Sequence, residues 1–306
     1  MDVRPLGSTG LLVSAIGLGT VKLGRNRGVK YPGGDGFALP TDEQALALLK
    51  AAAEQGVNLL DTAPAYGHAE ARLGELMHRA AWLGGRDRWV VCTKVGEEFD
   101  NDTGESRFDY SPGHCRASVE RSLRRLRTDV LDLVLVHSDG RDEWIIDRTG
   151  VLDELRRLRR QGLIRAVGMS VKTLDGALQA VRAADEPGDA GGAGGGGGGG
   201  GTGSGGGCEV VMLEHSPAHH RCGLGIDAAR LRGAGVLVKK ALGSGHLDDL
   251  LNKIPPDLRL ASQSSVEAAL RYVFARPGVS SVVVGTSRTE HLLANAEACR
   301  RALASV

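Results

Sequence analysis

Four residues of this sequence have the types and spacing that suit proton transfer to a polarised oxygen. Asp61 and Tyr66 stand close together in Asn58-Leu59-Leu60-Asp61-Thr62-Ala63-Pro64-Ala65-Tyr66-Gly67. Lys94 ends Val90-Val91-Cys92-Thr93-Lys94, and His137 ends Leu131-Asp132-Leu133-Val134-Leu135-Val136-His137. A carboxylate beside an ammonium keeps it charged and fixed. An ammonium beside a phenol stabilises phenolate, so Lys94 is expected to lower the tyrosine pKa. A histidine orients a carbonyl oxygen and shares in proton delivery. The tyrosine then protonates an oxygen that becomes alkoxide as hydride reaches the carbon. Each residue also has a plainer reading: Asp61 as a turn cap, Tyr66 as a packed lid, Lys94 with Asp61 as a structural ion pair, His137 as a satisfied core histidine.

These residues can meet only if the elements carrying them end at one rim. Val57–Asp61 is a short apolar run between Gly56 and Pro64, the pattern of a buried parallel strand. Similar runs are Ala15–Thr20, Trp89–Lys94, Val130–His137, Ile164–Ser170, Cys208–Glu214, Val236–Lys240 and Ser281–Gly285. Helical spacing falls between them. Thr41 caps a helix with Ala45, Leu46, Leu49 and Ala53 as its stripe. Leu73, Leu76 and Met77 mark the next, and Val119, Leu123 and Leu126 another. Val151 with Leu155, Leu174 with Leu178, Val273 with Phe274, and Leu292 with Ala296 mark four more; Ile226–Leu231 is a short one. Eight strands alternating with helices predict a closed (β/α)8 TIM barrel, an α/β fold whose strand C-termini share one mouth. Residues 4–14 read as a hairpin around a glycine turn, closing the barrel bottom.

The 306 residues suit one such barrel, and we expect a single domain over 1–306. Residues 188–207 are nearly all glycine, so ordering them costs entropy with no side chains to bury; we expect a disordered loop insertion there. Lys plus Arg (38) nearly balances Asp plus Glu (37), which gives no field for nucleic acid or an anionic membrane. No apolar run is long enough to span a bilayer. The N-terminus lacks the apolar core of a signal peptide, and five cysteines without a C-x-x-C fit reduced thiols, so a cytoplasmic setting is expected. His219-His220-x-Cys222 is read as loop polarity, with no metal expected.

The residues above carry a resemblance. The chain resembles the aldo-keto reductase family from Arg4 to about Arg301. The matching segments are Leu6-Gly7-x-Thr9-Gly10-x-x-Val13-Ser14-x-x-Gly17-x-Gly19-Thr20, Asp61-Thr62-Ala63-x-x-Tyr66-Gly67, then Lys94 and His137, and finally Val284-Gly285-Thr286-Ser287-Arg288-x-x-His291-Leu292-x-x-Asn295. The resemblance implies a barrel that binds NADPH at its C-terminal rim, with Tyr66 as general acid, Lys94 and Asp61 tuning it, and His137 orienting the carbonyl. It implies cofactor contacts at Gly19, Thr20, Ser170, Lys240, His291 and Asn295. Amides of Gly285, Thr286 and Ser287, opening the last helix, would form an anion site, and Arg288 would reach a 2′-phosphate. The chain departs from the family at Val171 and Met212, where amide side chains usually hold the nicotinamide carboxamide. Lys239-Lys240-Ala241-Leu242 replaces the usual Tyr-Ser-Pro-Leu, and Ala294 replaces an adenine-contacting acid. The expected function is NADPH-dependent reduction of a small aldehyde or ketone. Two alternatives stay open: a nucleotide-sensing regulatory barrel with little turnover, and a barrel hydrolase or isomerase using Asp61 and Lys94.

Overall fold

A computed structural model describes residues 1–29, 31, 34–182 and 207–305. The glycine run over 188–206 lies outside them, so the single-domain expectation concerns the rest of the chain.

Eight parallel strands close a barrel. In chain order they are β1 (Ile16–Gly19), β2 (Leu59–Asp61), β3 (Val90–Val95), β4 (Leu131–His137), β5 (Ile164–Ser170), β6 (Val210–Glu214), β7 (Gly235–Lys239) and β8 (Ser281–Gly285). Neighbours in sequence are neighbours in space, and β8 pairs back onto β1 with Gly285 opposite Gly19. All eight expected strands are therefore present, most with ends trimmed by a residue or two.

The helices that follow them are α1 (Asp42–Glu54), α2 (Ala69–Arg79), α3 (Pro112–Leu126), α4 (Val151–Arg160), α5 (Leu174–Arg182), α6 (Gly223–Leu231), α7 (Ser265–Phe274) and α8 (Thr289–Leu303). Local chemistry starts several of them. Thr41 and Gln44 form a reciprocal capping box on α1. Ser111 caps α3 ahead of Pro112, and Ser264 caps α7. The expected stripe on α1 is corrected in part: Ala45 and Leu49 are buried with Leu48 and Ala52, while Leu46 and Ala53 lie at the edge. The face that packs on the strands is centred one position further round than the sequence pattern suggests.

Two apolar shells result. One lies between strands and helices. The other fills the barrel interior, with Leu59, Cys92, Leu135, Ala166, Met212 and Leu237 from alternate strand positions. The hairpin Val3–Pro5 and Leu12–Ser14 closes the bottom, sending Leu6, Leu11 and Val13 into that interior. No described helix is long and apolar enough to cross a membrane.

Close approach of α2 to α3 depends on Gly74. Alanine would favour the helix by about 1 kcal/mol, but its Cβ would lie 2.1 Å from the Arg125 carbonyl oxygen, a backbone atom. Overpacking of this kind costs ~1–3 kcal/mol. Gly74→Ala is therefore expected to lower the urea midpoint. A midpoint equal to or above wild type would show that the helices separate freely.

Candidate active site

Side chains of a strand alternate, so the residue two beyond the last interior apolar one faces the same axis. This rule carries Leu59 to Asp61, Cys92 to Lys94, Leu135 to His137, and Leu237 to Lys239. Ser170 ends β5 directly opposite His137 of β4. The apolar interior thus gives way to a polar layer at the mouth.

Asp61, Tyr66, Lys94 and His137 meet there. Lys94 Nζ donates to Asp61 Oδ1 at 2.6 Å, to the Thr62 carbonyl at 2.9 Å and to the Tyr66 hydroxyl at 3.0 Å. An ammonium has three donors, so all are used. The Tyr66 hydroxyl in turn lies 3.4 Å from Asp61 Oδ2. Burial opposes the charge on Lys94, but Asp61 together with Tyr66 and Cys92 more than offsets it, and the net shift is upward. Tyr66 departs from expectation. Burial first, then Asp61, raises its pKa well above the usual phenol value, with Lys94 only opposing that rise. The phenol therefore stays protonated at neutral pH. Tyr66 is placed by the turn Pro64–Tyr66 between β2 and α2, and its ring meets the His137 ring edge-on at 6.2 Å.

His137 has a partner that sequence reasoning missed. Its Nδ1 lies 2.9 Å from Glu97 Oε2, with the carboxylate off the direct N–H line. Glu97 opens a small hairpin, Glu97–Phe99 with Ser106–Phe108, that stands over the mouth after β3. Burial would raise the Glu97 pKa, but His137, Ser106 and Arg25 bring it down to about 2. On His137 burial outweighs the pull of Glu97, so the imidazole titrates below its ordinary value and is neutral at pH 7. Glu97 lies three residues beyond Lys94, but nothing in the sequence marks the hairpin that turns it back.

A second missed residue is Lys239. Its Nζ donates to Ser170 Oγ at 2.9 Å and to the Val171 carbonyl at 2.8 Å. Lys240, the neighbour expected at the site, instead turns outward with positive φ and pairs with Glu214. The strand period assigns one of two adjacent lysines to the interior, and β7 ends at Lys239 rather than Lys240.

The expected cofactor residues divide in the same way. Gly19 and Gly285 sit side by side and leave the floor of the mouth bare over β1 and β8. A Cβ on Gly19 would come within 3.3 Å of Val283, whereas one on Gly285 would meet only Gly19 and Tyr31 atoms at 3.8 and 3.9 Å. The hydroxyl of Thr20 donates to the Asp61 carbonyl and so fastens β1 to β2. Thr286 is engaged with Arg288 in its own turn. The last helix begins at Thr289 with Arg288 as N-cap and no side-chain cap, so Gly285–Ser287 form the loop before it. Ser287 is half-buried, His291 is exposed and Asn295 is buried on α8. Arg288 has no carboxylate partner among the described residues, nor has Lys22, which lies over the Tyr31 ring. Burial, then the like charge of Arg288, lowers the Lys22 pKa. Two unpaired neighbouring cations, an uncapped helix start and a bare glycine floor fit an anionic coenzyme with a flat ring.

Replacing Glu97 by glutamine removes the charge that supports protonated His137. The His137 ring is then expected to titrate lower still, followed by the NMR shift of its C–H protons. An unchanged titration would mean that Glu97 and His137 are not coupled.

The profile of the Aldo/keto reductase family matches residues 15–187. The crystal structure of PA4992 from Pseudomonas aeruginosa, assigned to the aldo-keto reductases, is 41% identical, covers 98% of this chain and 95% of its own, and superposes with a TM-score of 0.76. D-threo-aldose 1-dehydrogenase from a Pseudomonas species is 28% identical over 95% of this chain and 90% of its own length. The NADH-specific methylglyoxal reductase of Escherichia coli is 30% identical over 55% of this chain and 51% of its own. With this match, a closed eight-stranded barrel and a shared rim, the chain belongs to the aldo/keto reductase family and is an oxidoreductase.

Proposed function

We propose that this protein interconverts a small aldehyde or ketone and its alcohol with NADPH as coenzyme, Tyr66 acting as the acid. The observation that carries this reading is the filled coordination of Lys94 by Asp61, Thr62 and Tyr66. The bound dihydronicotinamide supplies the hydride. Every other task falls to the chain. Tyr66, held protonated by burial, donates its proton to the substrate oxygen as negative charge develops there. Lys94 then stabilises the phenolate that remains, an interaction stronger after proton transfer than before it. Asp61 keeps Lys94 charged and aimed. His137, neutral and braced by Glu97, orients the same oxygen from the other side.

The choice of NADPH rests on Arg288. It is exposed beside the uncapped start of α8 and has no acidic partner among the described residues. A 2′-phosphate there would gain a charge-assisted hydrogen bond. Ser170 and Lys239 would supply donors to the carboxamide, since Val171 and Met212 supply none; Met212 faces the barrel interior.

Two measurements test this reading. Tyr66→Phe keeps the ring and deletes the proton, so kcat with a reactive aldehyde should fall by ~10²–10⁴-fold while NADPH affinity holds within a few fold. Turnover that survives would remove Tyr66 as the acid; tight NADPH binding without turnover in the wild type would favour a sensor. Arg288→Ala should weaken NADPH by about 1–3 kcal/mol and leave NADH nearly unchanged in fluorescence titration. Equal losses would place Arg288 on a group common to both coenzymes.

A further inference from the structure

Lys239 is a buried cation of the mouth that takes no part in the proposed proton transfer. It bonds only neutral acceptors, Ser170 Oγ and the Val171 carbonyl, and forms no ion pair among the described residues. The acids near it do not bond it directly. Glu214, beside it on β6, pairs with Lys240 and faces His219. Asp142 accepts from the Lys172 and Thr173 amides and the Thr173 hydroxyl. Lys94 adds repulsion, and its own charge is matched by Asp61. Cys222 and His137 also feel Lys239, and neither carries negative charge at neutral pH, because burial raises the thiol and lowers the imidazole. Lys239 therefore keeps its charge with no acid in direct contact, attracted only at longer range by Glu214 and Asp142.

Its position is fixed by the strand order. Lys239 ends β7, next to β8 with its bare Gly285, and its amine reaches across to β5, next to β4 with His137. It stands between the floor free of side chains and the pair that would hold a substrate oxygen. Resting on the coenzyme reading above, we propose that Lys239 discriminates between the redox states of the nicotinamide coenzyme, disfavouring the positively charged oxidised ring and so favouring the reduced form. A cation near a second cation in a site of reduced dielectric repels it far more than in water. By linkage, the bound equilibrium of alcohol and oxidised coenzyme with carbonyl, reduced coenzyme and a proton is drawn toward the carbonyl side by the same factor.

Burial brings the Lys239 pKa down to about 8. Its charge is present below that pH and lost above it, so discrimination should fade as pH rises past 8. The groups facing it (Glu214, Lys240, Lys94, Asp142, His137 and Cys222) are those named above.

Calorimetric titration of NADP⁺, NADPH and 2′,5′-ADP tests this without turnover. The wild type should bind NADPH at least ~10-fold more tightly than NADP⁺ beyond any preference of free solution, a gap that one repelled charge of about 1.4 kcal/mol produces. Lys239→Met should shrink the ratio at least fivefold, mainly by tightening NADP⁺, and Lys239→Arg should keep it. Binding of 2′,5′-ADP, which has no nicotinamide, should stay within twofold in both. An unchanged ratio in Lys239→Met, or an equal loss in Lys239→Arg, would overturn the proposal while leaving the coenzyme reading intact. Failure of the wild type to bind any of the three, or their NAD⁺ and NADH counterparts, would overturn the coenzyme reading and the proposal together. Should Lys239→Met not fold, the wild-type ratio across pH 7 to 9.5 decides the matter: a ratio that falls above pH 8 supports the role of Lys239, and a flat ratio rejects it.

Discussion

Lys94 carries an ammonium into the barrel to a site where it is 1% exposed, and the arrangement of the mouth follows from that fact. A buried ion costs several kcal/mol in lost hydration unless its charge and each of its donors are met. Asp61 meets the charge; Thr62 and Tyr66 meet the remaining donors. These groups come from the end of β3, the end of β2 and the turn after it, so the pair ties two strands and a loop into one geometry. Removing one partner of such a pair typically costs about 3–5 kcal/mol, because the other is left buried and alone. The tyrosine is thus positioned by an interaction that the fold itself needs. Thr20 strengthens the join by bonding the Asp61 carbonyl from β1.

The mouth is asymmetric around this point. From β2 to β4 it presents a carboxylate, a phenol, an ammonium and an imidazole, while β8 and β1 end in Gly285 and Gly19 and present bare backbone. Lys239 of β7 reaches across toward Ser170 of β5. Below, the apolar interior closed by the N-terminal hairpin keeps the dielectric low where charge must be felt. The small hairpin carrying Glu97 covers the His137 side. A barrel allows this division because each strand contributes an end to the same rim while loops vary independently.

Much of this was legible in the sequence. Apolar runs ending on Asp61, Lys94 and His137 gave both strands and site, since a charged residue at the end of a buried strand has few plain reasons to be there. The hairpin plug and the cap at Thr41 follow from local chemistry alone. What escaped was set by long-range placement. Glu97 lies on a hairpin whose return over the mouth no periodicity announces. Lys239 and Lys240 are indistinguishable until the strand end fixes which one faces the axis. The expected fall in the Tyr66 pKa reversed because burial and Asp61 together exceed Lys94, a balance that depends on depth rather than on which residues are present. The stripe of α1 shifted because the sequence shows a period and the packing selects its phase.

If the buried ammonium and the phenol act as one unit, a double-mutant cycle will show it. Single-turnover coenzyme oxidation is compared in wild type, Lys94→Met, Tyr66→Phe and the double variant. Groups that act together are not additive, so the double variant should be little slower than the worse single one. Losses that multiply across the cycle would mean that Lys94 and Tyr66 contribute independently, and the coupling inferred from their geometry would be wrong.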